Sequence, residues 1–244
     1  MSHELTIHLC SDSTFSNGDG VPGFVDIEIE HDSSGCPQIG ARTLKGLLRE
    51  ECANLRFALA DRWTDTPWKI SERRLFGASG ATNDHESIMH LADATLPPTL
   101  REHLHAQVAA WRSNPPKPDA LSPDQILESL TTIRRQTAVD AVRGAPDTGS
   151  LRSVRVLLRN TPLIAPIGFR VTPTENDLAL LAACILQMRR GGSGRNRGRG
   201  RIKALLHQSP VLDYHNADYT QTLFKHFRTL VVSPAPDAQA VTTE

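Results

Sequence analysis

The chain has no C-x-x-C pair; Cys10, Cys36, Cys52 and Cys184 are scattered along it. A disulfide framework and a thiolate zinc site are therefore not expected, and a reducing cytoplasm is the natural compartment. No apolar run approaches the roughly 20 residues that span a bilayer, so no membrane partner is expected. Met1-Ser2-His3-Glu4 lacks a basic segment leading into an apolar one, so no secretory leader is expected. Net charge is also absent, with 27 basic and 27 acidic residues. Spread evenly, that balance would argue against a polyanionic partner.

It is not spread evenly. Residues 1–41 hold Glu4, Asp12, Asp19, Asp26, Glu28, Glu30 and Asp32 and no Lys or Arg. Residues 189–203 hold Arg189, Arg190, Arg195, Arg197, Arg199, Arg201 and Lys203 and no acid. Salt screens charges more than roughly 8 Å apart at physiological ionic strength, so the local field matters more than the sum. The length, 244 residues, suits one large domain or a domain with sizeable insertions.

Leu5, Ile7 and Leu9 alternate with polar residues and predict a half-buried strand. Ser11 to Gly23 predicts a loop. Val25, Ile27 and Ile29 alternate with Asp26, Glu28 and Glu30, predicting a second strand with an acidic face. Leu44, Leu47, Leu48, Leu55 and Leu59 predict a helix from about Thr43 to Ala60. Residues 61–98 read as irregular, Leu100 to Trp111 as a short helix, Ser113 to Asp124 as a proline-rich loop and Gln125 to Leu130 as weakly helical. Arg134 to Gly149 is polar and marked by turns. Ser153 to Leu158 and Leu163 to Val171 read as strands and Glu175 to Arg190 as a strong helix. Arg201 to Leu206 and Thr229 to Val232 read as strands. This order predicts an α+β fold: a ferredoxin-like (RRM-like) βαββαβ core with large insertions. Residues 1–232 form one domain, interrupted at about 61–130 and 131–150, and 233–244 read as a disordered tail.

Two motifs carry chemistry. In Arg189–Arg201, glycines let a polyanion approach the backbone, while interleaved arginines offer forked donors to phosphate. Arg190, Ser193, Arg195, Asn196, Arg197, Arg199 and Arg201 are the RNA-binding candidates here. A Walker-type phosphate loop is excluded: no G-K-[ST] ends the stretch, and it follows a helix. In the second motif, Gly35 to Glu50, Arg42, Lys45 and Arg49 form a basic stripe near a helix N-terminus, which favours phosphate. Gly46 within that helix leaves room for another chain.

"GCPQIGARTLKGLLREEC" resembles the small-Pro-x-Ile-x-x-x-x-Leu-Lys-Gly-x-Leu-Arg signature of RAMP proteins, with Gly40 where the family often has Pro. The Gly–Arg stretch resembles that superfamily's glycine-rich loop. "SNGDGVPGFVDIEIEHDSSGCP" resembles the lead-in of type III CRISPR subunits, and "IRRQTAVDAVRGAPDTGSLRSVRV" resembles the thumb of guide-RNA filament subunits. The resemblance implies a single RAMP domain that binds guide RNA (crRNA) and pairs it with target RNA, among copies of itself and other effector subunits. It implies that Asp26 acts as catalytic residue and metal ligand, cleaving target RNA with Mg²⁺ or another divalent metal. A non-catalytic subunit capping the crRNA 5′ tag and a stand-alone metal-independent RNase are the alternatives. For the latter, His207, Tyr214 and His215 are the acid–base candidates, although surface or packed roles suit them better. His103 and His105 are too close in sequence to share a helix face as a metal pair. Trp63, Trp68 and Trp111 are read as packing groups.

Overall fold

The computed structural model describes residues 2–16, 18–64, 66–77, 86–115, 117–138, 143–145, 147, 149–209 and 213–232. The expected tail at 233–244 and much of the expected thumb tip lie outside the described residues. Among the described residues, no helix is long and apolar enough to cross a membrane.

The predicted ferredoxin-like core is present. Strand β1 (His3–Leu9) leads to helix α1 (Ala41–Leu59). After α2 (Asp61–Thr64) and α3 (Trp68–Phe76) comes the edge strand β2 (Met89–Leu91). An insertion follows: α4 (Pro98–Trp111), α5 (Pro123–Leu130), β3 (Thr131–Gln136) and β4 (Arg152–Leu157). The core resumes with β5 (Pro162–Phe169), α6 (Glu175–Gln187) and β6 (Ile202–Gln208), and α7 (Asp218–Val232) closes the described chain. The main sheet has the order β2-β5-β1-β6, every pair antiparallel. Omitting the insertion, this is strand–helix–strand, strand–helix–strand with β1 and β5 central.

Alternation puts Leu5, Ile7 and Leu9 in the core, with Leu44, Leu48 and Cys52 of α1 and the apolar residues of α6. Helix α6 has a complete start signal. The Thr174 hydroxyl accepts from the Asp177 amide, and the Asp177 carboxylate accepts from Thr174. That fully buried carboxylate also accepts from Arg74 Nε at 2.9 Å, which fastens α3 to α6.

Several expectations need correction. Residues 61–98 are not wholly irregular. Trp68, Ser71 and Leu75 give α3 a buried stripe too short to stand out in sequence, and β2 has only three residues. Val25 to Ile29 is not a strand. Its backbone makes isolated bridges, Val21 with Val25 and Ile27 with Val154; the Asp26 and Ile27 amides donate to Ser153 C=O, Glu28 N–H to Asp19 C=O and Ile29 N–H to the Glu28 carboxylate. Thr229 to Val232 is the end of α7, because Leu223 and Phe227 pack one helix face into the core. Packing there overrides the strand preference of β-branched residues. Helix α6 ends at Gln187, short of Arg190.

β3 and β4 form a separate two-stranded sheet. A buried ion pair fixes its position. Arg155 donates to the Glu28 carboxylate at 2.8 Å, with side chains 6% and 12% exposed. It also donates to Thr131 Oγ1 at 3.1 Å and lies over the Phe24 ring. Removing one partner of such a pair leaves a buried charge uncompensated. Arg155→Ala should cost about 3 kcal/mol, read as a lower urea midpoint, while Lys117→Ala on the surface should leave the midpoint unchanged.

Candidate nucleic-acid interface

The stretch from Arg189 to Arg201 is an ordered loop rather than a linker. Its two ends zip together: Arg190 bridges Arg201, Ile202 N–H donates to Arg189 C=O at 3.0 Å, and Gly191 N–H to Gly200 C=O at 2.9 Å. The loop sits on the segment that follows β1. Ser193 N–H donates to Thr14 C=O at 2.8 Å, Gly200 N–H to Asp12 C=O at 3.1 Å and Arg201 N–H to Ser11 Oγ at 2.9 Å.

Two glycines are required by this seating. At Gly192 (φ +79) a Cβ would lie 2.4 Å from Thr14 O, and at Gly200 (φ +69) it would lie 2.0 Å from Gly191 O. Gly194 and Gly198, both left-handed, bracket a single 3-10 turn at Arg195–Arg197 that projects from the body.

The loop forms a ridge between two clefts. One, of about 670 Å³, has Asp12, Arg134, Leu158, Arg159 and Arg199 on its walls. The other, of about 470 Å³, lies against Thr14, Ile27, Gln136 and Val154. The base of the β3–β4 sheet is thus the opposing wall, and Arg134 and Arg159 face Arg199 across the larger cleft. Asp12 organises this wall: it accepts from Arg134 Nη2 at 2.8 Å and from the Arg159 amide at 3.2 Å. Burial alone would raise its carboxyl pKa, but these donors and the two positive charges outweigh it and hold the carboxyl below its ordinary value.

The sequence candidates fall into distinct groups. Ser193, Asn196 and Arg197 are exposed on the ridge, and Arg199 is half-buried beside both clefts. Arg190 and Arg201 sit at the loop's closed base, where Arg190 Nη1 donates to Arg195 C=O at 3.5 Å. Arg195 makes a two-pronged pair with Glu50 of α1 at 2.8 and 2.9 Å, and that hydrogen bonding raises its pKa. Arg42 and Arg49 are exposed and make no ion pair among the described residues. Lys45 is placed differently from the other two. Its ammonium donates to Ser87 Oγ at 2.7 Å and Met89 C=O at 3.1 Å, so it braces β2. Burial, then the nearby Arg49 charge, lower its pKa. Gly46 opens onto free space, and Gly40 has φ −60, the value a proline would impose. Arg134, Arg159 and Gln136 were not singled out as contacts. Only the strand register of β3 and the turn at Asn160 (φ +68) bring them to the ridge.

Asp26 is exposed. Its Oδ2 accepts from Ser153 N–H at 2.6 Å and Ser153 Oγ at 3.0 Å, and these bonds chiefly hold its carboxyl below the ordinary range. The neighbouring Ile27 lines the smaller cleft. Glu28 does not join Asp26, because its carboxylate is committed to Arg155. This donor set fits a divalent cation held mainly by phosphate and water, with Asp26 giving one oxygen. It does not fit a cation caged by protein alone.

Among the described residues, one other cluster has metal-ligand chemistry: Asp32, Cys36 and His105, whose ligand atoms lie within 4.8 Å of one another. It is already satisfied as a turn. Asp32 accepts from Ser34 N–H, Cys36 N–H and His105 Nε2, with the Arg101 cation 3.7 Å away. Burial and then the Asp32 charge push the Cys36 thiol up to about 11. His103 is exposed and takes no part. Trp63 and Trp68 are buried as expected, Trp68 against Phe227 with ring centroids 4.6 Å apart, while Trp111 is partly exposed.

Gly200→Ala should unseat the loop. We expect about 2 kcal/mol lost in thermal unfolding, from a strained φ and a forced backbone shift, and faster tryptic cutting after Arg197 and Arg199. Gly46→Ala, in open space, should not destabilise.

Comparison with known proteins agrees with this architecture. A cryo-EM structure of the type III-B Cmr-beta bound to cognate target RNA contains a chain that superposes with a TM-score of 0.57 at 13% identity, covering 84% of this chain and 97% of that one. The apo state of type III-B Cmr-beta gives 0.57 at 14% identity over 86% and 99%. A type IV-B CRISPR complex gives 0.54 at 15% identity over 92% and 99%. At these identities the likeness shows the fold. No curated protein is similar enough in sequence to match. The family model of the RAMP superfamily matches residues 6–203, which is most of the chain. The chain belongs to the RAMP superfamily.

Proposed function

We propose that the chain is a subunit of a CRISPR ribonucleoprotein effector and grips the sugar–phosphate backbone of a guide RNA. One observation carries this reading: an ordered, acid-free arginine ridge is flanked by two clefts, and further arginines stand on the facing wall. Planar guanidinium forks suit phosphate oxygens, and the exposed Gly194 and Gly198 admit the backbone closely. Nothing in the clefts amounts to a base-edge code. Guide and target sequences are matched by base pairing, a division of labour that holds for another CRISPR effector. Solved assemblies that share this fold include a type IV-B CRISPR complex and the type III-B Cmr-beta bound to target RNA, which supports crRNA, target RNA and other effector subunits as partners. The β3–β4 sheet is the stem of the thumb-like segment, and repeated copies along one guide give it a regular role. A single copy per assembled particle would favour the 5′-tag cap instead.

Replacing Arg195, Arg197 and Arg199 by alanine should weaken single-stranded RNA binding at least tenfold. It should also flatten the dependence of log affinity on log salt by about 2, since each phosphate contact on single strands contributes about 0.7. Arg195 must exchange Glu50 for phosphate, so Arg197 and Arg199 should carry most of the loss. Undiminished capture of RNA by the folded triple variant would overturn the reading.

A second reading rests on Asp26, which is exposed, kept ionised by Ser153 and next in the chain to Ile27 of the smaller cleft. There it would supply one ligand to Mg²⁺ or another divalent metal. A cation so placed stabilises charge growing on a phosphate under attack by a 2′-hydroxyl. Asp26→Asn retains an oxygen for the Ser153 donors and removes the charge. It should abolish divalent-metal-dependent cleavage of paired target RNA and leave guide affinity unchanged. Cleavage at the parent rate would remove Asp26 from the mechanism.

A further inference from the structure

The sheet face turned away from α1 and α6 carries a second group of polar side chains. The β1–β6 register sets His8 opposite Lys203, Thr6 opposite Leu205 and Glu4 opposite His207. The described residues after β6 then fold back over this face. The His215 ring stacks on His8 with centroids 4.7 Å apart and planes 23° from parallel. His8 Nε2 meets Tyr214 C=O at 3.4 Å, His207 Nε2 meets Thr6 Oγ1 at 3.0 Å, and Tyr214 stands edge-on to His207. His215 and Lys203 are exposed, and Lys203 makes no ion pair among the described residues.

This cluster continues the arginine ridge. Arg201 and Lys203 alternate onto one face as the loop passes into β6, and two strand residues advance about 6.7 Å, on the scale of successive phosphates in an extended strand. Resting on the RNA-binding reading above, we propose that His8, His215 and Lys203 form a proton-dependent phosphate site extending the RNA track from the Gly–Arg loop onto the exposed His8–Lys203 end of that sheet face.

The surroundings set its sign. Glu4 on β1 and Asp213 on the covering loop favour protonation of His207, while His8 disfavours it; Lys203 and the stacked His215 disfavour protonation of His8. Glu4 is partly engaged by Ser209 Oγ at 2.8 Å. β5 contributes only apolar neighbours, Pro162, Ile164 and Pro166, at the matching positions. Burial first, then neighbouring positive charge, lower His8 below its ordinary value, although the Tyr214 carbonyl acts in the opposite sense. His207 is likewise lowered, mainly by burial. In the free chain His8 is therefore neutral at pH 8. A phosphate beside it favours the imidazolium form, so binding takes up a proton and affinity rises as pH falls.

The test measures affinity for a labelled mixed-sequence single-stranded oligoribonucleotide at pH 8 and pH 6, at one salt concentration. The parent should bind about fivefold tighter at pH 6, as expected when a histidine midpoint near or below 6.5 rises by about one unit on binding. His8→Gln/His215→Gln should lose most of that ratio, and the exposed His215→Gln alone should reduce it without disturbing the sheet. Lys203→Ala should weaken binding at both pH values. The ridge triple variant should bind more weakly at both yet keep the ratio. By NMR, oligoribonucleotide should move the His8 and His215 titration midpoints upward. A parent that binds RNA with no pH dependence, or a double variant that keeps the parent ratio, overturns this inference and spares the ridge. A parent that fails to bind RNA at either pH overturns both.

Discussion

The position of the whole interface depends on one buried guanidinium. Arg155 leaves β4 to meet Glu28 of the lead-in and Thr131 at the start of β3. Its own backbone is equally committed: N–H donates to Ile27 C=O at 2.9 Å, and C=O accepts from Thr14 Oγ1 at 3.2 Å. Thr14 in turn offers its carbonyl to Ser193 of the arginine loop. One side chain and one strand residue thus connect the acidic lead-in, the second sheet and the basic loop. A charge so placed would be costly alone. Its partners make it a fixed point from which both walls of the smaller cleft are set.

The electrostatic asymmetry of the chain acquires a spatial meaning from this arrangement. The acid-rich first segment does not repel the arginines from a distance; it is the bench on which they rest. Asp12 and Glu28 are neutralised by Arg134 and Arg155, and Glu50 by Arg195. Arg197, Arg199 and Arg42 remain available to an outside polyanion. The zero net charge therefore hides a local division: the acids beneath the loop are paired, and Arg197 and Arg199 stand at the clefts.

Much of the fold was readable in the sequence because strong patterns coincided with core elements. The alternation at Leu5, Ile7 and Leu9, the leucine stripe of α1 and the apolar run of α6 all sit where periodicity placed them. What escaped was held by tertiary contact. β2 is three residues long and owes its place to pairing with β5 and to the Lys45 brace. Val25 to Ile29 has strand-like alternation but spends its hydrogen bonds piecemeal, and α7 hides β-branched residues inside a packed helix. At the site, the arginine loop could be read directly from residue type. Lys45 could not: a lysine on a basic helical stripe has the same sequence pattern whether it points at solvent or at a carbonyl. Arg134 and Arg159, 25 positions apart in the chain, meet the ridge only through strand register and a turn.

The bracing of β2 also bears on how copies of this chain can meet. An exposed sheet edge is a template for another strand. Here one outer edge is only three residues long. At the other, Thr220 of α7 exchanges hydrogen bonds with both the N–H and the C=O of Leu206 in β6. Among the described residues neither rim offers a long run of free backbone, which disfavours growth by β-augmentation. Contact between copies is then left to side-chain surfaces rather than to backbone pairing.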